Sequence, residues 1–307
     1  MREGIVRSCI IHHLTAPFRT LPYFSPQFYV HSDTPHTMLI KRKSIEKEES
    51  LRAPQRDLDT PKPARKPRYA AVTLSEQDGV RYLHFGTEWV QGAMRIRKPD
   101  WLELEYAQQM MAWMLFIDQP QRIVQLGLGT GALTKFCYRQ YPQAQISAIE
   151  LNPAVISIAE TMFKLPQNDE RLSVREMDAL DFVLDSSNHG SVDAMQIDLY
   201  DATANGPVLD TAEFYVGCAR CLAPHGIVTV NLFGDHPSYL KNLKVMGFAF
   251  DYVISLPMVH DGNVVAIGFN SRPKFDFIAL YARAAAIKLA TKMPAKSWVD
   301  GLKQTQN

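Results

Sequence analysis

The spacing of apolar and polar positions changes at Tyr69. Residues 1–68 keep no sustained period. The run KRKSIEKEESLRAPQRDLDTPKPARKPR (41–68) is charged and proline-rich. It holds too little apolar surface to offset the entropy of ordering it, so a disordered leader is expected over 1–68. Residues 1–37 supply neither a core pattern nor a clean targeting signal, and Met38 would make the more ordinary start. From Tyr69, YAAVTL and VRYLHF lie on either side of SEQDG, which signals a hairpin. EWVQGAMRI continues as a third strand or leads out, giving a small β domain over 69–100. WLELEYAQQMMAWMLFI (101–117) carries helical spacing.

Beyond it, short apolar runs alternate with helical ones. RIVQLGL, QISAIEL, LSVREM, VDAMQID and GIVTVNLF read as strands. GALTKFCYRQY, PAVISIAETMFKL, DALDFVLDSS, DTAEFYVGCARCL and PSYLKNLKVMGF read as the helices between and after them. This alternation predicts an α/β fold: a doubly wound, parallel sheet covered on both faces, within a domain spanning 101–270. DYVISLPM and NVVAIGFN, separated by VHDGN, predict a closing hairpin and hence an antiparallel last edge. Residues 271–307 predict one helix, FDFIALYARAAAIKLA, and a polar tail.

Charge divides the chain the same way. The net formal charge of +1 is the sum of +6 over 1–68, −10 over 69–270 and +5 over 271–307. An acidic domain with a cleft attracts cations and repels nucleic acid, although a solvated acidic surface has the same composition. The four cysteines are too few for a disulfide framework. Cys218 and Cys221 form a C-x-x-C, but they lie in a helical run whose apolar spacing already accounts for them, and no partner pair stands at a metal-binding distance, so no metal is expected. No apolar run approaches the roughly 18 residues of a membrane span, and MMAWMLFI is the densest. His12, His13 and Pro17 interrupt the first apolar stretch. A cytoplasmic protein without membrane or nucleic-acid partners is therefore expected.

Ligands of a doubly wound sheet bind outside the carboxyl ends of its strands, so the residues that end each strand belong together. The first strand runs into GLGTGAL, where Gly127, Gly129 and Gly131 permit a tight turn and close approach to a ligand. The second ends at Glu150, about twenty residues on, where an acid can accept both hydroxyls of a ribose. Asp178 follows the third strand, placed either to reach an adenine amino group or to cap the next helix. The fourth ends at Asp198, with Asp201 three residues later. Ala132 at the sixth position of the loop is compatible with a dinucleotide site, but the series of glycine loop, Glu150, Asp178 and Asp198 argues better for a sulfonium nucleoside derived from methionine.

Over about 69–270 the chain resembles the spermidine synthase (polyamine aminopropyltransferase) family as a divergent member. The likeness rests on WVQGAM, EYAQQMM, VQLGLGTGAL, IELNPAVISIA, LPQNDERLSV with Asp178 after it, IDLYDATANGP and LDTAEFYVGCARCLAPHGIVTVNLF. It implies a Rossmann-like, methyltransferase-type sheet preceded by a small β domain. It implies a transferase moving an aminopropyl group from decarboxylated S-adenosylmethionine to a small cationic amine, without a metal. Gln91 would contact the nucleoside, and Glu150 and Asp178 would hold its ribose and adenine. Tyr106 would line the amine pocket, Asp198 would be the catalytic base and Asp201 would hold the amine. Members are often dimeric or tetrameric, so a homodimer is a further expectation that the resemblance implies. Three positions depart from the family pattern: Thr130 replaces an aspartate of the glycine loop, Ala202 replaces the proline after the second acid, and Ala107 replaces a histidine after the pocket tyrosine. The loss of acid at Thr130 weakens amine binding and leaves nucleoside binding intact. The alternatives are an S-adenosylmethionine-dependent methyltransferase and a non-catalytic nucleoside-binding protein.

Overall fold

Asp78 and Gly79 make the first turn. Both have positive φ, 52° and 76°, which is the backbone of the two-residue turn that matches the twist of a hairpin. It joins strand β1 (Thr73–Gln77) to β2 (Val80–His84), with Gln77 opposite Val80. Strand β3 (Gly92–Arg95) pairs antiparallel with β2 and completes a three-stranded sheet in the order β1-β2-β3. The computed structural model describes residues 69, 71–200, 208–260 and 262–306, all within the unit Arg65–Asn307. The leader, the alternative start at Met38, Asp201 and Ala202 lie outside the described residues.

The helical spacing over 101–117 does not produce one helix. Helix α1 covers only Glu105–Gln109, and Met110–Leu115 continues as a 3-10 helix. The sheet below supplies the reason. The carbonyl of Met110 accepts hydrogen bonds from Thr229 Oγ1 at 3.0 Å and Gln196 Nε2 at 3.3 Å. With that carbonyl engaged by side chains of two strands, the backbone winds tighter across the sheet and buries every residue from Met110 to Leu115. Gln196 is held in turn by Gln125 Nε2 at 3.0 Å, so a satisfied polar network fixes this segment in an apolar core.

The main sheet is built from β4 (Arg122–Leu126), β5 (Gln145–Glu150), β6 (Leu172–Glu176), β7 (Val192–Ile197), β8 (Leu222–Phe233), β9 (Tyr252–Ser255) and β10 (Asn263–Phe269). Its order is β6-β5-β4-β7-β8-β10-β9. The pairings among β4, β5, β6, β7 and β8 are parallel. Strand β10 runs antiparallel to both β8 and β9. The reversed strand is therefore inside the sheet, and β9 takes the outer edge. Helices α2 (Ala132–Gln140), α3 (Pro153–Met162), α4 (Ala179–Leu184), α5 (Ala212–Cys221) and α6 (Ser238–Ala249) make the connections. The interior strands β4 and β7 bury residues of both faces, because helices cover the two sides, whereas the edge strand β6 keeps an alternation.

The end of the chain is also more ordered than its polarity predicts. After α7 (Phe277–Thr291), residues Ala295–Gln304 form α8 instead of a polar tail. Trp298, Val299 and Leu302 lie along one side of α8 and are fully buried, while its lysines face outward. No helix among the described residues is long and apolar enough to cross a membrane.

The small sheet is pinned to the large unit at the end of α3. Leu83 and Met94 pack on Phe163. The guanidinium of Arg81 donates to the carbonyl of Met162, and Lys135 Nζ donates to that of Phe163 at 2.6 Å. Two cations thus meet the carbonyl end of one helix, where its dipole is negative. Burial pushes the Lys135 ammonium down to about 8.

Candidate active site

The carboxyl ends of β4, β5, β6, β7 and β8 open into a cleft of about 1100 Å³, roofed by the loop between β2 and β3. Gly127, Gly129, Glu150, Asp178 and Asp198 line it from the sheet, and Gln91 and Tyr106 line it from above.

The glycine loop fits because side chains are absent from it. Gly127 has φ +94°, and a Cβ there would fall 2.1 Å from the carbonyl oxygen of Asp198. Gly129, at φ +52°, meets only the Gln91 carbonyl at 3.4 Å. Gly131, at φ +65°, caps the start of α2 and faces Leu165, so it shapes the turn without lining the cleft.

Glu150 ties that loop to β5. Its Oε2 accepts the Leu128 N–H at 3.0 Å and its Oε1 accepts the Asn152 N–H at 2.8 Å. Burial pushes its carboxyl above the usual carboxylate range, against the pull of these backbone donors. Asp178 does two things at once: its Oδ1 caps α4 by accepting the Leu180 N–H at 2.8 Å, and the residue lines the cleft.

Asp198 follows β7. Its Oδ1 accepts from Asn231 Nδ2 at 2.9 Å and its Oδ2 from the Tyr106 hydroxyl at 3.2 Å. Burial raises its carboxyl, while Asn231 and Tyr106 pull in the other direction. Asn231 is oriented by Asn263, whose Nδ2 donates to its Oδ1 at 3.0 Å. Tyr200 donates to the Asn231 carbonyl at 3.1 Å. Strands β7, β8 and β10 therefore converge on one carboxylate. Neither Asn231 nor Asn263 stands out in the sequence. The available signal was an amide inside the apolar run TVNLF, which a buried strand tolerates only when the amide is paired.

Thr130 is buried, and its Cγ2 lies 2.7 Å from where a Cβ on Gly92 would be. It borders a small recess beside the main cleft, together with Tyr106, Asp198 and Glu103. The Glu103 carboxylate is already held by Arg95 through two guanidinium donors. The rim is mixed: the apolar Tyr69, Trp89, Val90 and Val208 line the cleft and are exposed, and so are Glu88, Asp235 and His260. Cys218 and Cys221 are buried on α5, away from this edge, and burial raises both thiols.

Comparison with known proteins bears on the fold and the family. A family model for an O-methyltransferase domain matches residues 102–226. Human methyltransferase-like protein 13, solved in complex with SAH, superposes with a TM-score of 0.56 at 22% identity, covering 62% of this chain and 94% of that one. A probable spermidine synthase from Corynebacterium glutamicum superposes with a TM-score of 0.60 at 23% identity, covering 72% of this chain and 83% of its own. These likenesses concern the fold. Sequence goes further: a polyamine aminopropyltransferase of Chromobacterium violaceum is 32% identical over 236 residues, 76% of this chain and 90% of the relative. Identity at that level, over nearly the whole relative, makes the chain a member of the polyamine aminopropyltransferase family, that of the spermidine synthases.

Proposed function

We propose that the protein transfers the aminopropyl group of decarboxylated S-adenosylmethionine to a polyamine or diamine. The carrying observation is the buried Asp198 carboxylate, held by Tyr106 and Asn231 in the cleft that Glu150 also lines. Gly127 and Gly129 leave room for the donor, the Glu150 carboxylate takes the ribose hydroxyls, and Asp178 and Gln91 flank the base. The acceptor enters as an ammonium. Asp198 takes one of its protons, and a raised carboxyl suits that task near neutral pH. The freed amine attacks the propyl carbon bonded to the sulfonium. The C–N bond forms as the C–S bond breaks, the sulfur departs as the neutral thioether of methylthioadenosine, and the positive charge passes to the new secondary ammonium. Alignment and deprotonation are the protein's share of this chemistry. The exposed apolar residues of the rim, Tyr69, Trp89, Val90 and Val208, suit the methylene chain of the acceptor. Asp201 is assigned to hold its far ammonium.

The test supplies decarboxylated S-adenosylmethionine with putrescine, cadaverine, agmatine or spermidine and follows release of methylthioadenosine. Release that requires both substrates, and that Asp198→Asn abolishes, supports the assignment. Release that is absent with every amine, from protein that still binds methylthioadenosine, rejects it.

Methyl transfer from S-adenosylmethionine is the second reading, and Thr130 favours it. A neutral side chain at that point of the glycine loop removes a repulsion against the donor's carboxylate. Substituting intact S-adenosylmethionine in the same assay, and measuring S-adenosylhomocysteine, separates the two.

A further inference from the structure

The hydrogen bonds behind Asp198 all run in one direction. Asn231 Nδ2 donates to Asp198 Oδ1 at 2.9 Å, and Asn231 Oδ1 accepts from Asn263 Nδ2 at 3.0 Å. The Tyr200 hydroxyl donates to the Asn231 main-chain carbonyl at 3.1 Å. The Asn263 side chain also bonds the Tyr200 oxygen in the sense that favours a phenolate, so Asn263 is the donor there too. Its two N–H groups thus serve two partners.

A side-chain amide that turns end for end exchanges its donor and its acceptor. Turning Asn231 alone would set oxygen against the Asp198 carboxylate and N–H against the N–H of Asn263. Turning both asparagines together removes the second clash and keeps the first, unless Asp198 carries a proton on Oδ1 and donates it to Asn231. The pair therefore has two self-consistent polarities, one for the ionised acid and one for the protonated acid. Tyr200 chooses between them. A main-chain carbonyl only accepts, so the phenol proton is committed to Asn231 and the phenol oxygen is left to accept. Asn263 must then present N–H to Tyr200, and Asn231 must present N–H to Asp198. Burial raises the Tyr200 phenol, which keeps its proton in place. Asn231 is itself buried, so its amide depends on these partners and not on solvent.

We propose that Tyr200 and Asn263 are positioning residues that hold Asp198 as an ionised base: acting through Asn231, they fix Oδ1 as a permanent acceptor and leave Oδ2, on the Tyr106 side, as the oxygen that takes the proton. The acceptor ammonium gives one proton to Oδ2 and keeps the bonding pair as the lone pair of a neutral amine, while the carboxylate becomes a neutral acid. The Tyr106 hydroxyl, which donates to Oδ2 beforehand, turns about its C–O bond to accept from it afterwards. That Asp198 is the base rests on the reaction assigned above; the polarity of the hydrogen bonds does not. Among the described titratable groups, Tyr106 bonds Asp198, Tyr200 stands behind Asn231, and Glu103 shares the recess with Asp198 and is paired with Arg95. Glu88, Glu150, Asp178, Asp235 and His260 line the wider cleft, and a change at Tyr200 or Asn263 leaves their charges as they are. Without the fixed polarity the ionised form loses a donor, so Asp198 binds its proton at higher pH.

The test compares Tyr200→Phe and Asn263→Ala, neither of which adds a charge, with the wild type. In the ligand-free full chain carrying aspartate labelled with carbon-13 at the side-chain carboxyl, the Asp198 signal is the one that Asp198→Asn removes. Its titration by NMR should move to higher pH in both variants. With decarboxylated S-adenosylmethionine and putrescine, the acid limb of kcat/KM should move the same way. The loss should be roughly three- to tenfold on that limb, the scale of one weakened hydrogen bond to a charged group, with little change on the plateau. A merely structural loss would lower the melting point and the plateau and leave the limb in place. An Asp198 titration that moves in neither variant overturns the proposal. So does one that moves in Asn263→Ala and stays in a folded Tyr200→Phe, because the polarity would then not begin at Tyr200. If Tyr200→Phe fails to fold, Asn263→Ala decides alone: a shift supports the proposal and its absence rejects it. A shifted titration in protein that turns over no amine supports the positioning role and counts against the reaction instead.

Discussion

A side chain on Gly127 would occupy the space of the Asp198 carbonyl, 2.1 Å from its oxygen. The glycine loop and the proposed catalytic acid are therefore in backbone contact, and the Asp198 N–H also donates to the Leu126 carbonyl at 2.9 Å. What disturbs one displaces the other.

The two glycines of the cleft should accordingly respond differently. Gly127→Ala combines a positive φ with a backbone overlap that nothing flexible can relieve, and should cost more than about 3 kcal/mol of stability. Gly129→Ala meets only a carbonyl at 3.4 Å and should cost about 1–2 kcal/mol, the ordinary cost of a left-handed alanine. Urea unfolding of the two variants checks this; equal losses would mean that the contact with Asp198 yields.

Asp198→Asn should trade stability against turnover. Burial raises the folded-state carboxyl above its unfolded value. The native chain therefore binds the extra proton, and a penalty is present above the raised value and absent below the ordinary one, near 3.9. Removing the charge should raise the melting point of the ligand-free protein at neutral pH. The gain should shrink as pH falls toward the ordinary carboxylate range. Turnover should fall by roughly 10²-fold or more. A melting point that is unchanged or lower at neutral pH contradicts the burial argument, and full turnover contradicts the assignment of the base.

Glu150→Gln keeps the shape of the side chain but offers only one oxygen to the Leu128 and Asn152 donors and to any ribose. Affinity for methylthioadenosine should fall roughly ten- to a hundredfold by calorimetry. Unchanged affinity would place the nucleoside elsewhere in the cleft.

Thr130→Asp restores the acid of the family pattern in the recess shared with Tyr106 and Asp198. It should increase putrescine-dependent turnover at low putrescine while leaving methylthioadenosine affinity within a few-fold. It should also lower the ligand-free melting point, because the site is buried against Gly92. Tight saturation by putrescine in the wild type would show that another acid, with Glu103 nearest at hand, already serves.

The strand-end acids were legible in the sequence because a covered parallel sheet presents each strand's last residue to one edge. Glu150 closes β5 and Asp198 follows β7, as the alternation of short apolar runs and helices implies. The asparagine pair was not legible, because its partners are remote in sequence and an amide inside an apolar run carries no period. The segment 101–117 failed for a related reason. Its spacing is helical, but the side chains that capture the Met110 carbonyl stand 86 and 119 residues away. The end of the chain misled through its average polarity, since the polar residues of α8 are as many as its buried ones.

Strand β10 runs against its neighbours, and so it delivers its first residue, Asn263, to the edge where the parallel strands deliver their last. The turn leading into it comes along, and His260 and Gly262 line the cleft. The two ends of the cleft are thus written in separate stretches of the gene: one from the glycine loop to Asp178, the other from Asp198 to Asn263. Substitutions or length changes in the turn before β10 can reshape the second end while the first stays as it is. On the proposed reaction, a lineage can in this way exchange one acceptor for another without re-evolving its grip on the nucleoside, and a single reversed strand makes the fold divisible for selection.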